Sequence, residues 1–189
     1  MSKKQRRFVL LSHCLLNPHC RVHILGKNFY LPKKICSYFL EKNIAIIQLP
    51  CPEFMVMGYI RNPQGREQYN NVMFKTNCVN LINKDLLMVK ELVENKHDLL
   101  AFLGVQGSPT CSVYWGKHKE NKYHTESIIE SDNTPLNYPK QLGILSEILA
   151  EELEKINIEI PFIEVPIRED LSSPKISDFW NEIDNIIIQ

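Results

Sequence analysis

Three of the six cysteines in this chain come directly after short apolar segments that are typical of buried strands. The cysteines are Cys14, Cys51 and Cys111, and the segments before them are Phe8 to Ser12, Ile44 to Leu49 and Leu99 to Val105. In an open parallel sheet the carboxyl ends of the strands share one edge, where ligands bind. We therefore expect the three thiols to meet there as ligands of a soft metal ion or an iron–sulfur cluster.

The other three cysteines carry different expectations. Cys36 and Cys78 fall at apolar positions of predicted helices, so they are expected to pack in the core. Cys20 lies close to Cys14 in the sequence and is either a fourth ligand or a neighbour of the ligands. A fourth thiolate would close the site and favour electron transfer or a structural role.

Histidines leave a zinc site as an alternative. His13, His19 and His23 surround Cys14 and Cys20, and this combination of residue types also suits zinc. Two other classes of protein therefore remain possible, besides an enzyme that uses a cluster with one unligated iron. One is a zinc protein, hydrolytic or structural, that uses His13 or His19 with the cysteines. The other is a cluster-bearing electron carrier or scaffold without turnover.

The elements that position these residues alternate between strand and helix. A fourth strand is predicted over Pro161 to Ile167. Helices are predicted over Lys33 to Lys42, over about Tyr69 to Asn95 with an interruption near Asn83, over Gln141 to Ile156, and after Ser173 as N-cap with Pro174 first. This alternation predicts an α/β fold, a three-layer Rossmann-like sandwich with a mainly parallel sheet of about four strands. Residues 1–189 are expected to form a single domain of this kind.

Two segments show no clean period. Pro50 to Gly65 is rich in Pro and Gly and is predicted to be irregular, and Val113 to Tyr138 is predicted to be a functional loop with a short hairpin.

The charge balance argues against nucleic acid and membranes as partners. The chain has 22 Lys and Arg against 22 Asp and Glu, so no net field attracts it to an anionic polymer or surface. The basic residues near Met1 precede only about five apolar residues, too few for a signal peptide. We expect a cytoplasmic protein, in which cysteines serve as ligands or nucleophiles more often than in disulfides.

Three short motifs can be read together. They are SHCLLNPHCR at residues 12–21, CPE at 51–53 and GSPTC at 107–111. In order and spacing they resemble the three signatures of the thiouracil desulfurase family, and the resemblance covers about residues 8 to 116. It implies a 4Fe-4S cluster held by Cys14, Cys51 and Cys111 with one iron open, a small thiolated substrate, and removal of sulfur without net redox chemistry.

The same resemblance implies Glu53 and Ser108 as the catalytic pair. Glu53 stands two residues from a proposed ligand, where a carboxylate can take a proton from attacking water. Ser108 stands three residues before Cys111 and can hydrogen-bond the developing negative charge or pass on a proton. The alternative for Glu53 is to cap a helix that begins after Pro52, and the alternative for Ser108 is an ordinary turn residue.

Candidate substrate contacts come from loop residues. Tyr114 and Trp115 have rings that can stack on a heterocycle or serve as core or lid. Arg21, Arg61 and Arg66 are candidates for holding an anionic substrate, although a loop arginine usually faces solvent.

Overall fold

A four-stranded parallel sheet forms the centre of the fold. The computed structural model describes residues 6–22, 29–114, 141–167 and 174–188. Within these residues the strands are β1 (Arg7–Leu11), β2 (Ile44–Gln48), β3 (Asp98–Val105) and β4 (Phe162–Val165). They pair in the order β2-β1-β3-β4, and every pair is parallel. The predicted Rossmann-like α/β fold is confirmed.

The central strand β1 is apolar on both faces because helices cover both sides of the sheet. Residues 8–11 of this strand are all buried. Such a continuous apolar run is typical of a strand inside a parallel sheet. Its position fixes Cys14 just beyond the middle of the sheet edge.

Six helices pack around the sheet or its carboxyl edge in the described part of the chain. They are α1 (Tyr30–Glu41), α2 (Pro52–Met57), α3 (Arg66–Tyr69), α4 (Val72–Glu94), α5 (Ile144–Lys155) and α6 (Pro174–Ile188). Two single turns of 3-10 helix, His13–Leu15 and Pro18–Cys20, follow β1.

The helices form two outer layers. Helix α1 leads from β1 towards one edge of the sheet, whereas α4 and α5 lead towards the other edge, so right-handed crossovers place them on opposite faces. Helices α4 and α5 contact each other. Helix α6 joins α1, where Trp180 packs on Tyr38 with ring centroids 4.9 Å apart and Tyr38 donates to Asp184. The result is the predicted three-layer sandwich.

The predicted interruption of the long helix near Asn83 is wrong. Helix α4 runs unbroken from Val72 to Glu94, and Asn83 is tolerated because it faces solvent. The break lies earlier, at Asn71, whose side-chain oxygen accepts the backbone N–H of Phe74 at 2.9 Å. This N-cap starts α4 and separates it from α3.

The prediction that Pro50 to Gly65 is wholly irregular is also wrong. Helix α2 begins at Pro52, a residue that suits the first helical position, and ends before Gly58, whose φ of 78° stops the helix. Several predictions fall outside the described residues: His23, Trp115, the hairpin within Val113 to Tyr138, and Ser173 as N-cap. In the described ranges, no helix combines the length and apolar character that a membrane span requires.

Candidate active site

Loops at the carboxyl edge of the sheet bring the three predicted cysteines to one side of the molecule. Cys14 lies in the 3-10 turn after β1, Cys51 directly precedes α2 after β2, and Cys111 lies in the turn after β3. Because the strands are parallel, these three loops leave the sheet at the same edge. The predicted placement is what the structure shows, while ligation stays a prediction.

The loops after β1 and β3 flank the point where the strand order reverses. The chain passes from β1 to β2 on one side, and β3 then pairs with the other side of β1. A crevice forms at such a switch point, and ligands of α/β proteins bind there. Cys14 and Cys111 belong to these two loops, so they lie on either side of the expected crevice.

Cys20 joins the other thiols in the structure. Its thiol is within hydrogen-bond reach of the thiols of both Cys14 and Cys51. The Cys14 pKa is lowered, mainly by the hydrogen bond from Cys20 and also by the Arg21 guanidinium, which outweigh the effect of burial. The Cys20 pKa is raised, because this thiol keeps the proton that it donates. Cys20 therefore favours ionisation of the Cys14 thiol.

The three predicted ligands differ in their exposure. Cys111 is buried, whereas Cys14 and Cys51 are half-buried. Burial raises the pKa of Cys111, and the negative charges of Cys51 and Cys14 raise it further, so the three sulfurs influence one another. Across residues 6–22, 29–114, 141–167 and 174–188, no three His, Cys, Asp or Glu side chains form a group that could hold a metal ion.

Metal-free protein should react with iodoacetamide faster at Cys14 than at Cys36. A lowered pKa gives Cys14 more thiolate at neutral pH, and thiolate is the reactive form, whereas burial raises the pKa of Cys36. Mass spectrometry of alkylated peptides across pH 6–9 should show a rate at Cys14 that levels off at lower pH. The Cys20→Ser variant is the control, and it should remove most of this advantage. Equal pH profiles for Cys14 and Cys36 would contradict the thiol pair.

Glu53 is buried and its carboxylate is held by three donors. Oε1 accepts a hydrogen bond from the Thr110 hydroxyl at 2.7 Å, and Oε2 accepts from Arg61 Nε and the Tyr69 hydroxyl, each at 3.3 Å. Burial and the negative charge of Glu53 raise the pKa of Tyr69, so this phenol keeps its proton. The helix-cap alternative for Glu53 is wrong, because Cys51 occupies the N-cap position and the carboxylate turns towards these buried partners.

Arg61 does not face solvent and is not a free substrate contact. Its guanidinium is buried and donates to the carbonyls of Gly58 at 3.0 Å and Cys20 at 2.8 Å, in addition to Glu53. One side chain therefore ties the loop after β1 to the segment after β2. The partner groups fix the guanidinium, so it orients Glu53 and Cys20.

Ser108 organises the turn that carries Cys111. Its hydroxyl oxygen accepts the backbone N–H of Cys111 at 3.0 Å and that of Thr110 at 3.3 Å. Gly107, with a φ of 66°, makes the bend before it. Ser108 thus has the turn role that the sequence left open, and its half-buried hydroxyl lies beside the proposed ligand.

Thr110 also belongs to the site, although it was not among the predicted residues. Its buried hydroxyl donates to Glu53 and lies 3.4 Å from the sulfur of Cys111. The sequence offered a signal for it, because a hydroxyl residue directly before Cys111 in the GSPTC motif must lie near that cysteine.

The amino end of α5 also holds the turn that carries Cys111. The backbone N–H groups of Leu145 and Ser146 donate to the Thr110 carbonyl at 2.7 and 3.2 Å. Gly143 permits this approach, since a Cβ there would lie 2.4 Å from the carbonyl carbon of Thr110. The turn that carries Cys111 is therefore held by β3, by the Ser108 hydroxyl and by the amino end of α5.

The remaining predicted contacts are placed as follows. Arg66 is buried and donates to the Leu142 carbonyl at 2.8 Å and to Glu147, so it anchors α5 and is not turned to solvent. Arg21 donates to the Cys14 carbonyl at 3.2 Å and acts on the Cys14 thiol.

Of the three predicted loop histidines, the two that the structure describes differ in their surroundings. His13 is half-buried and its ring nitrogen lies 3.4 Å from the Asn17 side chain. His19 is exposed, with its ring 5.2 Å from that of Phe29.

Cys78 packs in the core as expected, whereas Cys36 is not part of the buried core. Cys78 also lies near the site. Cys78 is fully buried in α4. Burial raises its pKa to about 12, and the charges of Cys51 and Glu53 contribute to the rise. Cys78 therefore borders the site as a protonated thiol, while Cys36 is a half-buried residue of α1.

An exposed apolar run follows Glu53 in the chain. Its members share high exposure, up to 84% at Ile60, and are Phe54, Met55, Val56, Met57, Tyr59 and Ile60. They give the site edge an apolar border. A separate cavity of about 500 Å³ lies between the end of α5 and the start of β4. That cavity is at the opposite edge of the sheet and contains no cysteine.

Fold and site together define a class of protein: a Rossmann-like α/β protein whose strand ends gather several thiols beside a buried carboxylate. Over residues 7–159 the chain matches the family described as "Putative 2-thiouracil desulfurase", and it belongs to that family. It is also 29% identical over 168 residues to the uncharacterized protein MJ0003 of Methanocaldococcus jannaschii. The aligned region covers 88% of this chain and 90% of that protein. No solved structure matches the chain.

Proposed function

We propose that this protein is a desulfidase that hydrolyses a small thiocarbonyl compound, such as a thiolated nucleobase, to the carbonyl compound and sulfide. Membership of a family named for a desulfurase supports this proposal. The single observation that carries it is the Thr110 hydroxyl, which contacts both the buried Glu53 carboxylate and the Cys111 sulfur. A group that accepts protons therefore lies beside the thiol-rich crevice.

We assign Cys14, Cys51 and Cys111 as ligands of a 4Fe-4S cluster. The chemistry of the donors fits this group, because the strand ends supply several soft thiols that already influence one another. When bound through three thiolates, the cluster supplies an open iron, a Lewis acid for the thiocarbonyl sulfur. Cys20, whose thiol donates to Cys14, then lies beside the ligands.

Glu53 is the proposed acceptor of a proton from the attacking water. A carboxylate oxygen has two lone pairs, and Oε1 accepts one hydrogen bond from the described residues, that of Thr110, so it can also accept a water. Arg61 and Tyr69 hold Oε2 and thereby fix the direction of Oε1. Ser108 donates its hydroxyl proton towards the leaving sulfur. The exposed apolar residues that follow Glu53 in the chain suit contact with a planar ring.

Anaerobically reconstituted protein should release sulfide from 2-thiouracil without a reductant. The matched variant Glu53→Gln keeps the size of the side chain and one accepting oxygen but cannot take the proton, so activity should fall by about 10²-fold or more with iron content unchanged. Sulfide is measured colorimetrically, and iron and acid-labile sulfide are counted on the same samples.

Three results would contradict this proposal in different ways. Equal sulfide release by the wild type and Glu53→Gln would remove Glu53 from the mechanism. A colourless protein that contains zinc and no iron would favour the zinc alternative. A cluster with a clean reversible potential and no sulfide release across a panel of thiocarbonyl compounds would favour an electron carrier.

A further inference from the structure

Two serine hydroxyls near the thiols are buried without a hydrogen-bond partner. Ser12 and Ser112 are both 0% exposed, and within the described residues neither hydroxyl oxygen has a partner, a cysteine thiol included. Buried hydroxyls in folded proteins are nearly always hydrogen-bonded, because an unpaired one gives up the bonds that water would make. These two hydroxyls therefore indicate a partner that the described residues do not supply.

The two serines belong to the loops on either side of the expected crevice. Ser12 directly follows β1 and stands two residues before Cys14, and its backbone N–H donates to the Leu103 carbonyl of β3 at 3.0 Å. Ser112 directly follows Cys111 in the turn after β3. Each of these two proposed ligands is therefore accompanied in its own loop by one buried hydroxyl without a partner among the described residues.

We propose that the Ser12 and Ser112 hydroxyls donate hydrogen bonds to sulfur atoms of the iron–sulfur cluster assigned to this site. This inference rests on the cluster of the proposed function and adds two residues to its surroundings. Sulfides and thiolates carry negative charge and have no proton to donate, so a hydroxyl beside them serves as the donor. Hydrogen bonds of this kind, from residues that are not ligands, help to hold a cluster and to set its reduction potential.

Ser146 supplies the matched control. Its hydroxyl is equally buried and also lacks a partner among the described residues. Ser146 lies in the first turn of α5, however, where a serine hydroxyl can rotate to bond a backbone carbonyl of the preceding turn. Its backbone N–H also donates to the Thr110 carbonyl at 3.2 Å, so Ser146→Ala reports what a small change in packing beside the same turn can do.

The first test uses the metal-free protein. Ser12→Ala and Ser112→Ala should each unfold at a urea concentration no lower than that of the wild type. Removing a buried hydroxyl that has no partner breaks no hydrogen bond and ends the cost of burying it. Circular dichroism measures the midpoint of unfolding. A clearly lower midpoint would show that the hydroxyl has a partner in the metal-free protein, and it would overturn the proposal for that serine.

The second test uses anaerobically reconstituted protein. Each alanine variant loses a donor to sulfur, so an iron chelator should remove the cluster about tenfold faster than from the wild type. The reduction potential of the cluster should also fall, because fewer hydrogen bonds stabilise the added negative charge. In D₂O the iron–sulfur stretching bands of the resonance Raman spectrum should shift in the wild type, and this shift should be smaller in Ser12→Ala and Ser112→Ala. Ser146→Ala should match the wild type in all three measurements.

The outcomes separate these hydrogen bonds from the proposed function. A reconstituted wild type that binds neither iron nor sulfide would end the cluster assignment and this inference with it. A wild type that holds a cluster would overturn the hydrogen bonds alone if both serine variants kept its chelation rate, reduction potential and Raman shift. Equal effects in Ser146→Ala would also overturn them, since a change in packing would then explain the loss. Sulfide release from 2-thiouracil is measured separately and tests the desulfidase activity.

Discussion

Replacing Cys14, Cys51 or Cys111 with serine is expected to abolish or cripple iron–sulfur cluster binding in each case. An alcohol is a hard ligand that rarely ionises, and three thiolates are the minimum that the proposed site supplies. Iron and acid-labile sulfide counts after anaerobic reconstitution, together with the visible absorption band of the cluster, measure the effect. The three cysteines occupy corresponding positions after three strands, so each of the three variants should lose the cluster.

Cys36→Ser is the matched control for these variants. Cys36 lies in α1, away from the strand-end loops, so this variant should keep the wild-type iron content. Cys20→Ser tests whether Cys20 is a fourth ligand of the proposed cluster. Retained cluster in Cys20→Ser agrees with three ligands, whereas loss as complete as in Cys14→Ser would make Cys20 a ligand and remove the open-iron mechanism.

Arg61→Met is expected to lower the free energy of unfolding by about 3–5 kcal/mol. Removing one partner of a buried ion pair leaves the other charge uncompensated, and Glu53 and Arg61 are both buried. The variant also leaves the Cys20 and Gly58 carbonyls without their guanidinium donor. Urea unfolding of the metal-free protein, followed by circular dichroism, measures the change.

The double variant Arg61→Met with Glu53→Gln supplies the control. Glutamine carries no charge, so the second substitution should recover a substantial part of the lost stability. Two results would show that the ion pair does not determine stability around Glu53. One is an unchanged free energy of unfolding in Arg61→Met. The other is a double variant that loses more stability than the sum of the two single variants.

The centre of the sheet could be predicted well because β1 and most of β3 are buried on both faces. β1 and β3 are continuous apolar runs, and such runs followed by polar loops leave little ambiguity about strand ends. The positions of Cys14, Cys51 and Cys111 after the strands followed from this alone. Parallel pairing then required a common edge.

Helix boundaries were harder to predict because capping depends on local hydrogen bonds. Asn71 and Asn83 are the same residue type in one polar region, and only the contact with Phe74 makes Asn71 the cap. Helix α2 was expected only as an alternative, and its difficulty has a different cause. Its outward residues are apolar and exposed, so it lacks the polar face that marks an amphipathic helix.

The site was predicted in its thiols and carboxylate but not in what holds them. Arg61 and Thr110 contact Glu53 across 8 and 57 positions of the chain, and no spacing rule connects residues that meet only after the sheet has formed. Cys20 had been recognised as ambiguous. Its contacts with Cys14 and Cys51 depend on the two 3-10 turns that fold the loop back, which sequence patterns do not reveal.

The strand order has a consequence for how the protein is made. β1 pairs with both β2 and β3, for example Arg7 with Ile44 and with Asp98. The ribosome synthesises β3 long after β1 and β2, so β1 and β2 can pair first. Pairings between distant segments form slowly. During synthesis Cys14 and Cys51 can therefore be together while Cys111 has not yet emerged. If the proposed cluster is bound, its delivery should follow completion of the sheet, and a nascent chain halted before β3 should not retain iron.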